Sequence, residues 1–209
     1  MAATHGTSRT RSRARAGRDR GDAIVSAAIG VFFRHGFHRV TVEDVAREAG
    51  VSRQTVYTRF GNKEQLFVTA ARQLFDEAHD KAREALAGPG EPWERVRAAF
   101  EASNVSHVRE LERSDHAAEL WATQSTVLRT VLAAKERRMM SAIAGTLASA
   151  HRRGEIRLPG GITAQELAEM LVIADAGFKA SVITVRRYRA RLRTIIAMMR
   201  QATAPATRT

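Results

Sequence analysis

The sequence predicts an all-α protein, and three observations carry that prediction. Ala and Arg dominate the composition, and both favour helices. Aromatic residues make up only 6% and runs of Val, Ile, Thr and Tyr are scarce, so strand signals are weak. Apolar residues recur at three- and four-residue spacing in segment after segment, with capping residues ahead and glycine or proline behind. At 209 residues and 44% hydrophobic content, the chain can bury a substantial core in one ordinary domain or two small ones, which excludes a disordered chain.

Residues 1–17 carry Ala, Thr, Ser, Gly and Arg without periodicity and read as a flexible basic arm. A first helix then runs from about Arg18 to His35, with Ile24, Ala27, Ala28, Val31 and Phe32 on one face and Gly36 just past its end. The arginines before AIVSAAIGVFF mimic a secretory leader. Asp19 and Asp22 interrupt that basic run, and RHGFHR stands where a small-residue cleavage site would be needed, so the stretch reads as an amphipathic core helix.

Thr41 is suited to cap a short second helix whose first turn holds Glu43 and Asp44, where the helix dipole favours acids. Val42, Val45, Ala46 and Ala49 form its buried stripe and Gly50 ends it. Ser52 caps a third helix to Phe60, with Val56 and Phe60 facing inward, and Asn62 caps a fourth from Lys63 to about Leu86. GPGEP, residues 88–92, is the strongest punctuation and marks the domain boundary. The division is therefore a basic arm at 1–17, a first domain with its connecting helix at 18–87, a second domain at 88–203 and a tail at 204–209. In the second domain, helical patterns run from Trp93 to about Arg113, around His116–Trp121, and from about Ser125 to Arg153. After the break RLPGG, Thr163 caps a further helix, and a last one carries Tyr188, Leu192, Ile195, Ile196 and Met199 on one face.

The net charge is +12, and twelve of the 34 basic but only five of the 22 acidic residues fall in residues 1–63. A basic excess suits an acidic partner such as nucleic acid. The absence of cysteine excludes a disulfide scaffold, a thiolate metal site and a cysteine nucleophile, and fits a cytoplasmic protein. No run approaches the ~20 apolar residues of a membrane span.

Residues 41–60 hold the informative chemistry. Two short helices at a steep angle need a turn that accepts positive φ, and Gly50 supplies it. Ala46 gives the small residue where the helices cross, and Val45, Val51 and Val56 lock the pair. This is a helix-turn-helix pattern, whose second helix enters a DNA major groove. Arg53 and Gln54 suit guanine and adenine edges. Ser52, Thr55 and Tyr57 suit phosphates, Arg59 and Lys63 add charge on the flank, and Thr41 can meet a phosphate at a helix N-terminus.

The run G-F-x-x-V-T-V-x-x-V-A-x-x-A-G-V-S-x-x-T-V-Y-x-x-F-x-N-K-E-x-L, residues 36–66, resembles the tetracycline-repressor (TetR) family of bacterial transcription regulators. By motif the resemblance covers about residues 18–75. It implies an all-α homodimer with an N-terminal three-helix helix-turn-helix DNA-binding domain and a C-terminal helical ligand-binding and dimerisation domain. It implies DNA contacts at Thr41, Ser52, Arg53, Gln54, Thr55, Tyr57, Arg59 and Lys63. Tyrosine or histidine is frequent in the family where Arg59 stands, and Glu43 falls where some relatives read a base. Here Glu43 is read as serving the helix dipole.

The function expected is a sequence-specific transcriptional regulator, a repressor released from a palindromic operator in double-stranded DNA by a small-molecule effector. The alternative is a sequence-neutral architectural DNA-binding protein, which would not need Arg53, Gln54 and Thr55 displayed together. An enzyme is disfavoured, since no nucleophile elbow, phosphate loop or metal-spaced cluster occurs. The basic arm reads equally as a solubilising tail or as a strap along the operator. Phe100 and Trp121 are the candidate ligand-binding residues, although individual aromatic residues on such helices are more often core. Leu167, Leu171, Ala174, Phe178, Leu192, Ile195, Ile196 and Met199 are the candidate dimer interface, with the arginines of the last helix as its solvated rim. Glu112, His116 and Glu119 share a helical face but read as surface charges, so no metal or cofactor is expected.

Overall fold

The structure is a computed structural model that describes residues 6–180 and 184–205, with side chains from residue 21 onward except at 121, 124, 125 and 180. Among the described residues the regular structure is helical throughout. The order is α1 (Gly6–His35), α2 (Val42–Glu48), α3 (Arg53–Phe60), α4 (Lys63–Ala87), α5 (Pro92–Arg113), α6 (Ala117–Val127), α7 (Arg129–Arg152), α8 (Ala164–Ala180) and α9 (Val185–Ala202). No helix among them is long and apolar enough to cross a membrane.

The expected caps are in place. Ser52, Asn62 and Thr163 accept from the backbone N–H three residues on, at 3.1, 2.8 and 3.1 Å. Helix α1 departs from expectation: its backbone is helical from Gly6, through the segment read as an irregular arm. The physical reason is that Arg and Ala are strong helix formers and no proline interrupts residues 6–35. Residues 1–5 lie outside the described residues.

Two cores form. The N-terminal one gathers Ile24, Phe32, Phe37, Val45, Val56, Leu66, Phe67 and Phe75. The other gathers Trp93, Phe100, Ile143, Leu147, Leu171, Tyr188 and Leu192, together with Ala82 and Leu86. The turn at 88–92 joins α4 to α5, but the cores divide earlier, within α4 between Phe75 and Ala82. The α6–α7 junction also crosses over: Leu128 leaves helical geometry (φ −98°, ψ 11°) and is buried with Val131 in the N-terminal core. At the C-terminus the Trp93 indole N–H donates to Thr203 Oγ1 at 2.8 Å, fastening the end of α9 to the start of α5.

Five side chains singled out in the second domain belong to the subunit's own core. Leu167, Leu171, Leu192 and Ile196 are at most 5% exposed and belong to the subunit's own core, and Ala174, Phe178, Ile195 and Met199 are partly buried, the last three packed against that core. An apolar stripe shows that a face is covered, not by what, and here the covering is intramolecular. The large apolar side chains left exposed on α8 and α9 are Met170, Ile173 and Met198. Phe100 is likewise core, 1% exposed. The side chain of Trp121 lies outside the described residues.

Candidate nucleic-acid interface

Local sequence builds the helix-turn-helix. Helix α2 ends in a Schellman turn: Val51 N–H reaches Ala46 O at 3.0 Å, Gly50 N–H reaches Arg47 O at 3.2 Å, and Gly50 adopts φ 64°. The chain then reverses into Ser52 and α3. Val45, Ala46 and Val56 are buried between the helices, which leaves the opposite face of α3 to solvent.

That face brings Ser52, Arg53, Gln54, Thr55 and Tyr57 together. Ser52 Oγ and Thr55 Oγ1 share a hydrogen bond of 2.8 Å. The Arg53 guanidinium lies 5.1 Å from the centroid of the Tyr57 ring and pairs through Nε with Glu43 Oε1 of α2 at 2.6 Å. Gln54 is exposed and its amide donates to Thr58 Oγ1 at 3.3 Å. These are weak, solvent-facing contacts that a base edge can replace. Arg53 and Gln54 offer the paired donors and acceptors that read guanine and adenine.

The remaining three predicted residues sit elsewhere. Thr41 completes a capping box with Asp44: its Oγ1 accepts from Asp44 N–H at 3.2 Å and donates to Asp44 Oδ2 at 2.7 Å. Those hydrogen bonds hold the Asp44 carboxyl below its usual range, so the start of α2 carries charge of the wrong sign for a phosphate. Arg59 turns back toward α1, and a side chain at Gly21 would collide with its guanidinium. Lys63 donates to the carbonyls of Phe37 and His38 at 3.1 and 3.3 Å, with its ammonium 4.6 Å from the Phe37 ring centroid. Two of its three donors thus serve the α1–α2 turn.

Sequence reasoning missed the Glu43–Arg53 pair, because no helical spacing links residues on two helices ten positions apart. It also missed that the second domain grips this turn. Glu119 of α6 accepts from His38 N–H at 2.8 Å, beside buried Gly36, and Ser114 Oγ donates to Phe33 O at 2.7 Å.

Comparison with known proteins agrees with this geometry. Residues 24–70 match the sequence profile of bacterial regulatory proteins of the tetR family. The HTH-type transcriptional regulator BetI of Rhizobium meliloti (strain 1021) is 38% identical over 81 residues, 39% of this chain and 40% of BetI. The chain spans less than half the length of the curated relatives it matches. Over most of its length it shares the fold of two solved structures. One is a transcriptional regulator from Cytophaga hutchinsonii ATCC 33406 (TM-score 0.71, 17% identity, 87% of this chain and 97% of that one). The other is SmeT, the repressor of the Stenotrophomonas maltophilia multidrug efflux pump SmeDEF (TM-score 0.64, 18% identity, 90% and 91%). The matching segment is the helix-turn-helix with the helices on either side of it, so residues 24–70 resemble the DNA-binding head of the tetR family of bacterial regulatory proteins.

Proposed function

We propose that this protein is a sequence-specific transcriptional regulator of the bacterial cytoplasm, a homodimeric repressor that leaves a palindromic operator when a small-molecule effector binds its C-terminal domain. The observation that supports this reading best is the exposed face of α3, where Arg53 and Gln54 face solvent beside half-buried Tyr57 on a helix anchored through Val45, Ala46 and Val56. A purely electrostatic DNA binder has no need of a glutamine amide beside a guanidinium at that point. The exposed Met170, Ile173 and Met198 on α8 and α9 suit burial against a second copy. Two reading heads so joined would meet half-sites about one helical turn apart. An effector that altered their separation would lower affinity through the coupling between the two sites.

Selection of the purified protein against random DNA duplexes at near-physiological salt tests the proposal. An enriched inverted repeat is the expected result. Binding without enrichment would favour the sequence-neutral architectural reading instead.

A further inference from the structure

Where α5, α7, α8 and α9 converge, the second core holds a polar cluster instead of apolar packing. Asp175 accepts from the Tyr188 hydroxyl at 2.7 Å, from Lys179 Nζ at 2.6 Å and from Asn104 Nδ2 at 3.2 Å. Its charge is matched by Lys179. A second cation, Lys135 of α7, has no such match. Its Nζ donates to the neutral Asn104 Oδ1 at 3.2 Å, an oxygen that Lys179 Nζ also approaches at 3.4 Å, and it lies 4.9 Å from the Phe75 ring centroid. Among the described residues Lys135 makes no ion pair. An ammonium withdrawn from water without a counter-ion is costly. Burial, reinforced by the neighbouring Lys179 charge, pushes Lys135 down to about 7.

Space for an anion exists beside it. A cleft of about 260 Å³ opens between α4 and α7, walled by Phe75, Val131, Ala134 and Lys135, with Arg72, Thr130 and the Asp76–Arg138 ion pair also lining it. A smaller pocket between α4 and α5 shares Phe75 and Lys135 and is lined by Ser103. The Ser103 hydroxyl is buried and has no hydrogen-bond partner among the described residues, an uncommon state for such a group. A cation without an ion pair and a hydroxyl without a hydrogen-bond partner therefore line neighbouring pockets that share Phe75.

We propose that the α4–α7 cleft is the effector site, and that the effector is a small carboxylate whose acid group pairs with Lys135 while its aromatic or short aliphatic body lies on Phe75. This rests on the effector-release reading above. The cleft is near the lower end of ligand-pocket size, about 300 Å³ upward, so the effector is small. Helix α4 carries Phe75 in this cleft and Leu66 and Phe67 in the N-terminal core, so a molecule wedged between α4 and α7 bears directly on the helix that leads to the reading head.

The test titrates benzoate, cinnamate and octanoate, each beside its primary amide, into the full-length protein at pH 6.5, followed by Tm and by calorimetry. The carboxylates are expected to bind and raise Tm, the amides to bind at least tenfold more weakly. Carboxylate affinity is expected to fall about tenfold or more between pH 6.5 and pH 9, with proton uptake on binding at pH 8 measured in two buffers of different ionisation enthalpy. Lys135→Met, near in volume and free of the buried charge, is expected to lose carboxylate binding at least tenfold. Equal binding of amides, no binding by any carboxylate, or unchanged binding by Lys135→Met would overturn the site. The wild-type pH and proton-uptake arms decide the matter even if the variant does not fold. Carboxylate binding that leaves affinity for the selected DNA unchanged would keep the anion site and defeat effector release. Release by neutral compounds alone would do the reverse.

Discussion

Glu43 and Arg53 meet across the helix-turn-helix, carboxylate to guanidinium at 2.6 Å, one from the first turn of α2 and one from the first turn of α3. Both side chains are exposed, 39% and 63%, so the pair adds little to stability. On the proposed DNA-reading role of α3 its effect lies in binding, because it sets an anion beside the arginine proposed to read a base. Glu43→Gln is expected to raise DNA affinity about three- to tenfold at fixed salt and to steepen the salt dependence by about one counterion. Discrimination between sites should fall at the same time. Fluorescence anisotropy across a salt series, on the selected and a scrambled duplex, reads all three quantities.

Among the described residues Gln54 makes one weak side-chain hydrogen bond, to Thr58, and its side chain is exposed, so truncating it is expected to leave the fold intact. Gln54→Ala is expected to cost about 1–3 kcal/mol on the preferred duplex and to relax preference at one position of each half-site. Repeating the DNA selection with the variant checks this. A uniform loss at every position would mean that Gln54 touches the backbone only.

Lys63 is placed to hold the α1–α2 turn. Lys63→Met removes donors to two carbonyls and a cation over the Phe37 ring, an expected loss of about 1–3 kcal/mol in stability. Chemical denaturation measures that loss. The salt slope of DNA binding should stay the same. A lower slope with unchanged stability would instead make Lys63 a phosphate contact.

These three positions show what the sequence could and could not disclose. Caps, turns and the crossing residue were legible because each is decided within four or five neighbouring positions: Thr41 with Asp44, Ser52 with Thr55, Gly50 at the end of α2. The face of α3 was legible for the same reason. Long-range partnerships were not. Lys63 looked like a free cation because the carbonyls it serves lie 25 and 26 positions earlier. Leu192 and Ile196 looked like an interface because periodicity reports burial without naming the covering surface. Lys135 gave no signal at all, since nothing local marks a lysine that folds inward.

Glu119 joins the second domain to the first through a single backbone amide, that of His38. Glu119→Ala is expected to speed hydrogen exchange at His38 about tenfold while leaving DNA affinity within about twofold, because an acceptor worth roughly 1.5–3 kcal/mol is lost from the α1–α2 turn and none from α3. Hydrogen exchange followed by NMR tests this. An unchanged exchange rate at His38 would show that Glu119 does not hold the turn.

Lys135 predicts the pH response of the fold. Its folded-state value, about 7, lies below the ordinary 10.5. Between those values the unfolded chain binds more protons than the folded one, so stability rises with pH. The charges nearest it are Lys179 and Asp175 from α8 and Glu136 from its own helix, with Arg72 and Asp76 of α4 and Arg138 of α7 around the same cleft and neutral Asn104 of α5 at its tip. The Tyr188 hydroxyl, raised by burial, stays protonated across this window. Stability is expected to increase by about 2 kcal/mol from pH 7 to pH 9, and Lys135→Met should flatten the rise. Urea titrations at three pH values are sufficient to see it.

The insertion of Leu128 and Val131 into the N-terminal core bears on how such a protein can be recombined. The reading head is assembled from two separated stretches of chain, its own first 75 or so residues and the elbow between α6 and α7. A graft that exchanges heads by cutting at the GPGEP turn would leave two apolar side chains behind and a matching hole in the incoming part. A transplanted head therefore has to travel with its own elbow, and specificity for DNA cannot be exchanged in this protein as one uninterrupted block of sequence.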